Sequence, residues 1–79
     1  MVTVRYFAGA RAAAGTSSEE VAPATLGALL GALADRHGDR LRTVLAAASY
    51  LVDGTAARDR EALVPAGATL DVLPPFAGG

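Results

Sequence analysis

Val2, Val4 and Tyr6 alternate with Thr3, Arg5 and Phe7 at the start of the chain. A period of two predicts a strand with one strongly buried face. Ala8 to Ala14 is alanine-rich with a single Arg and closes at Gly15, the pattern of a short helical turn ended by glycine. Thr16 to Ala22 is polar, with Val21 its only bulky apolar residue. It reads as a second strand at or near a sheet edge, where Glu19 and Glu20 discourage stray pairing.

The clearest helix follows Pro23. Thr25 is a natural N-cap, and Leu26, Leu29, Leu30 and Leu33 fall at i, i+3, i+4 and i+7. Gly38 is the stop signal, with Arg36 and His37 in the last turn, where positive charge suits the helix dipole. Gly27 and Gly31 each cost ~1 kcal/mol of helix propensity relative to Ala. Their i, i+4 spacing puts them on one side and predicts a close approach to a strand. Leu41, Val44, Leu45 and Ala48 outline a second, shorter helix. Tyr50-Leu51-Val52 leads into Asp53-Gly54, a strong tight-turn signal. Arg58 to Leu63 is charged and reads as a crossing loop or single helical turn; Pro65-Ala66-Gly67 is another turn, and Ala68 to Leu73 is the last strand. The economical packing is an α+β fold, one main helix across a mixed sheet of four to five strands, forming one domain over 1–79.

Composition narrows the function. At 79 residues the chain buries roughly 60% of its unfolded surface, enough for one thin core and too little to excavate a ligand pocket of ~300 Å³ or more. The net charge of -1 offers no electrostatic case for nucleic acid or an acidic membrane. No stretch approaches the ~20 apolar residues of a membrane span, and the amino terminus lacks a signal-peptide pattern. With no Cys, there is no thiolate chemistry and no disulfide staple, which favours a reducing, cytoplasmic setting. All seven basic residues are Arg. The chain therefore has no lysine for a P-loop, a Schiff base or an isopeptide bond.

Side-chain catalysis finds little support. His37 is the only histidine, so a metal site is not expected, and its position suits a helix end packed partly against Leu33. Ser17, Ser18 and Ser49 lack a nucleophile-elbow context. The carboxylates are scattered, without the close pair that general acid–base work needs. Arg36, Arg40 and Arg42 read as a solvated face. A stand-alone enzyme is not expected.

The end of the sequence is more informative. Pro74-Pro75 fixes φ twice and stiffens the exit from the last strand. Phe76 to Gly79 can reach ~14 Å when extended, and Gly78-Gly79 can thread a slot that admits only bare backbone. A terminal carboxylate is unreactive as an electrophile at neutral pH until it is activated. The chain has no phosphate-binding loop, so activation falls to a partner. A frayed end without a role is the alternative at this stage.

Four segments together resemble a known family. Val2-Thr-Val-Arg-Tyr-Phe-Ala8 with Arg11 and Gly15-Thr16, Leu51-Val52-Asp53-Gly54, Pro65 to Val72, and Leu73-Pro-Pro-Phe-Ala-Gly-Gly79 are similar to β-grasp sulfur carriers of the MoaD/ThiS type. The likeness is greatest to the small subunit of molybdopterin synthase. It covers nearly the whole chain and implies a ubiquitin-like β-grasp fold with 74–79 as an exposed tail.

The implied mechanism is an exchange at Gly79. An E1-like adenylating enzyme uses Mg-ATP to activate its carboxylate, and a sulfur donor (a sulfurtransferase or sulfide) displaces AMP to leave a thiocarboxylate. The synthase large subunit then receives the sulfur for molybdenum cofactor biosynthesis. No cofactor is bound by the carrier itself. Ala77 and Gly78 thread the partner, and Phe7, Arg11, Leu73, Pro74, Pro75 and Phe76 form the docking face. Two departures are present: Leu73 stands where an aromatic is common, and Phe76 replaces a smaller apolar residue. Carriers for cysteine, thiamin or natural-product pathways, and a ubiquitin-like modifier joined to lysines of other proteins, remain open alternatives.

Overall fold

In the computed structural model, which describes residues 1–75, the opening alternation forms β1 (Val2–Tyr6). Val2, Val4 and Tyr6 are buried, while Arg5 is exposed. β1 is flanked by β2 (Ser18–Val21), antiparallel, and β7 (Thr69–Leu73), parallel. β4 (Ser49–Val52) adds antiparallel to β7, and β5 (Thr55–Ala56) adds to β4, giving the order β2-β1-β7-β4-β5. In this register Val4 stands beside Leu70 and Tyr6 beside Val72, so the strands share one apolar face.

That face is covered by α2 (Leu26–His37) and α3 (Asp39–Ala47), with α1 (Gly9–Ala14) packed on α3. Leu26, Leu29, Leu30 and Leu33 are all buried, as their spacing predicts, together with Leu41 and Leu45 of α3. The Thr25 hydroxyl accepts from the Ala28 N–H at 3.2 Å, and Gly38, at φ 96°, ends α2. Five strands across one main helix is the expected β-grasp arrangement. A separate ribbon of β3 (Ala24–Thr25) and β6 (Leu63–Val64) joins the flanks of the long connections.

The Asp53-Gly54 turn has φ 49° and 84°, the type I′ geometry of a two-residue hairpin. Asp53 also ties that hairpin to β7, its carboxylate accepting from the Thr69 N–H at 2.9 Å. The expected approach of Gly27 and Gly31 to a strand is corrected. Gly27 meets the backbone of the 57–62 loop: a Cβ there would lie 3.2 Å from the Arg60 carbonyl oxygen, which accepts the Gly27 N–H at 2.8 Å. A Cβ at Gly31 meets nothing within 4 Å.

Candidate functional site

β7 is the middle strand of five, and its end is where the last residues leave the sheet. Leu73 and Pro74 are half-buried there, and Pro75 is exposed. Phe7, half-buried at the matching end of β1, donates its N–H to the Val72 carbonyl at 3.3 Å. Parallel pairing of β1 with β7 thus brings Phe7 to the tail exit. The chain turns sharply next: the Ala10 N–H bonds the Phe7 carbonyl at 3.0 Å, with Ala8 at φ 48°, ψ -125°. This is a type II′ geometry that favours glycine at Ala8. Arg11 follows on α1, exposed and without a salt bridge among the described residues. Phe76, Ala77, Gly78 and Gly79, and with them the expected exposed and mobile tail, lie outside the described residues.

Two residues along the strands from Phe7 and Leu73, on the sheet face away from the helices, Arg5 pairs with Asp71. The Arg5 Nε donates to Asp71 Oδ1 at 2.6 Å and Nη2 to Oδ2 at 2.9 Å, a bidentate geometry. The hydrogen bond and the charge of Asp71 raise the guanidinium pKa further above its usual value. The guanidinium carbon lies 5.7 Å from the centroid of the Phe7 ring. The sequence carried a signal for this pair: a carboxylate between Leu70 and Val72, mid-strand, needs a partner when buried.

A second charged group sits on the helix side. The picture of Glu19 as an edge guard, and of scattered solvated carboxylates, is corrected here. Glu19 is opposite Val4 and shares the inward face with Val21, two residues on. Its side chain is only 14% exposed and accepts from the Tyr6 hydroxyl at 2.7 Å, from Arg36 and from His37. Burial pushes the Glu19 carboxyl up, but these three hydrogen bonds outweigh it and hold the group below its ordinary range. Burial, then Glu19, drives the Tyr6 hydroxyl well above its ordinary value. The Tyr6 and His37 rings meet edge to face, with centroids 6.0 Å apart. Arg36 and Arg42 keep the exposure expected of a solvated face while pairing with Glu19 and, at 3.1 Å, with Asp35. The parity with Val21 was the available signal for Glu19. Glu19, Tyr6, Arg36 and His37 clamp the edge strand to the end of α2.

The open grooves of about 280, 290 and 240 Å³ are lined by residues of α2, α3, β4 and the 57–62 loop. Among the described residues, no three His, Asp or Glu side chains are placed to hold a metal ion, and no helix is long and apolar enough to cross a membrane.

Residues 4–79 match the ThiS family. The chain belongs to that family. A search of curated proteins found no match. Among solved structures, this ThiS-family chain is similar to small archaeal modifier protein 1 (SAMP1) from Haloferax volcanii, at 27% identity and a TM-score of 0.84, over 99% of this chain and 98% of that one. It shares its fold with a putative molybdopterin converting factor subunit 1 from Pyrococcus furiosus, at 24% identity, 95% and 97% coverage and a TM-score of 0.83. The fold is also that found in a complex of subunits 1 and 2 of molybdopterin-converting factor from Helicobacter pylori 26695, at 19% identity, 99% and 97% coverage and a TM-score of 0.73. The ThiS-family chain is thus a small β-grasp protein of the sulfur-carrier or ubiquitin-like modifier kind.

Proposed function

We propose that this chain is the sulfur-carrying small subunit of molybdopterin synthase, working in the cytoplasm. The carrying observation is the Leu73-Pro74-Pro75-Phe76-Ala77-Gly78-Gly79 segment, which follows directly from the central strand of a ThiS-family sheet. An E1-like enzyme docks on Phe7, Arg11, Leu73, Pro74, Pro75 and Phe76 and draws in Ala77 and Gly78. A carboxylate oxygen of Gly79 attacks the α-phosphorus of Mg-ATP and pyrophosphate leaves. Hydrosulfide supplied by the donor then attacks the acyl carbon and AMP leaves, giving the thiocarboxylate that the large subunit uses in molybdenum cofactor synthesis. Catalytic side chains belong to the partners, and Gly79 is the reagent.

The likeness to small archaeal modifier protein 1 supports a second reading, a modifier whose diglycine joins lysines of other proteins. Carriage of sulfur to cysteine, thiamin or natural-product pathways is a third. Intact mass spectrometry separates carrier from modifier: oxygen-to-sulfur exchange at Gly79 marks the first, isopeptide adducts the second. Deleting Gly79 should leave the melting temperature nearly unchanged and abolish both ATP–pyrophosphate exchange with the activating enzyme and formation of the sulfurated pterin. Exchange and sulfuration at the wild-type rate without Gly79 would defeat the carrier reading.

A further inference from the structure

The Arg5–Asp71 pair is unevenly presented to solvent: the Asp71 side chain is 10% exposed and the Arg5 side chain 53%. Asp71 takes the Nε and Nη2 edge of Arg5, leaving three of its five N–H bonds without an acceptor among the described residues. The surface at this point therefore offers donors, with its acceptor hidden beneath. Asp71 from below and the Phe7 ring alongside hold the guanidinium in place, so little rotamer freedom remains to be lost on contact. Phe7 and Leu73 provide half-buried apolar surface two residues along the same face. The nearest acid on the same face, Glu20, stands beside Thr3 and forms no ion pair among the described residues.

We propose that Arg5, held by Asp71, is a specificity residue of the docking face, and that its outward edge receives an Asp or Glu carboxylate from the activating enzyme whose apolar side chains cover Phe7 and Leu73. This rests on the carrier reading above and adds the chemistry of the partner's surface. Because Asp71 already neutralises Arg5, docking desolvates a hydrogen-bonded pair instead of a lone cation, which lowers the cost of burial. The arriving carboxylate completes an acid–Arg–acid chain of charge-assisted hydrogen bonds.

The test is ATP–pyrophosphate exchange with the purified E1-like enzyme from the same genome, titrating the chain as substrate. Arg5→Leu combined with Asp71→Ala removes the pair without stranding either charge. The expected result is a KM for the chain raised at least about tenfold, with kcat at saturation retained. The salt dependence of KM should flatten as well, which a purely structural role would not produce. Arg5→Lys, which keeps the charge and loses the fork, should fall between. A folded double variant with wild-type KM and salt slope overturns the proposal and leaves the pair as a staple of the sheet. A chain dimer that dissociates in the double variant, with KM unchanged, overturns it in favour of self-association. No exchange with the wild-type chain defeats the carrier reading and this inference together.

Discussion

Removing the Glu19 carboxylate should cost this chain a large part of its stability. Glu19→Ala strands the Tyr6 hydroxyl in a residue that is 1% exposed, a loss of ~1–3 kcal/mol for an unsatisfied buried group. His37, with 15% of its side chain exposed, loses a partner at a further ~1 kcal/mol. Arg36 is 52% exposed and stays solvated, so its share is near zero. The combined loss is about 2–4 kcal/mol, out of the ~4–12 kcal/mol usual at this length. At ~4–8 °C per kcal/mol, the midpoint of thermal unfolding should drop by at least about 8 °C. Urea melts monitored by circular dichroism measure the loss directly, and Tyr6→Phe supplies the second arm of a double-mutant cycle. In the Glu19→Ala background, Tyr6→Phe should recover part of the loss, because it removes the stranded hydroxyl. The acid limb provides the sign. The folded Glu19 carboxyl titrates below its ordinary range, so its contribution is fully present above that range and is lost as pH falls through the lowered folded value. The stability gap between wild type and Glu19→Gln should therefore close in acid. A Glu19→Ala loss under half a kilocalorie, or additive effects of the two substitutions, would refute the clamp.

Leu30→Ala should cost ~2–5 kcal/mol in the same melts, since Leu30 is 4% exposed in a thin core; a loss below half a kilocalorie would contradict the packing of α2. Gly31→Ala should gain up to ~1 kcal/mol from helix propensity in open space, whereas Gly27→Ala should gain less or lose, its Cβ pressing on the Arg60 carbonyl. Equal gains would mean that the 57–62 loop yields freely. Ala8→Gly should stabilise by about 0.5–1 kcal/mol by relieving the positive φ, with part of the relief offset by the added freedom of the unfolded chain.

Much of the fold was legible because its signals are local. The alternation over Val2–Phe7 sets which side of β1 is buried whatever strand lies beside it. The Leu26-Leu29-Leu30-Leu33 stripe, the Thr25 cap and Gly38 define α2 within their own twelve or so residues. Asp53-Gly54 forms its hairpin because the backbone angles of two residues suffice. The two-residue strands β3 and β6 were not legible, since a period of two has no expression over so short a run, whereas β5 was expected as the short strand after the Asp53-Gly54 turn. The tail motif was readable as a pattern of residues.

Neighbourhoods across the fold belong to tertiary structure. Arg5 and Asp71 are 66 residues apart and meet only because β1 and β7 pair in parallel with one particular register. A shift of one residue would send the two side chains to opposite faces. Glu19 and His37 are 18 residues apart, joined by the angle at which the end of α2 crosses the edge strand. Single-residue preferences favour solvent for Glu, Asp and Arg, and they can be overridden only where packing delivers donors to a carboxylate already out of water. Local sequence determined the main elements. The register of distant strands, set by burial of all their apolar faces at once, decided which charges are paired and brought Phe7 beside the end of β7.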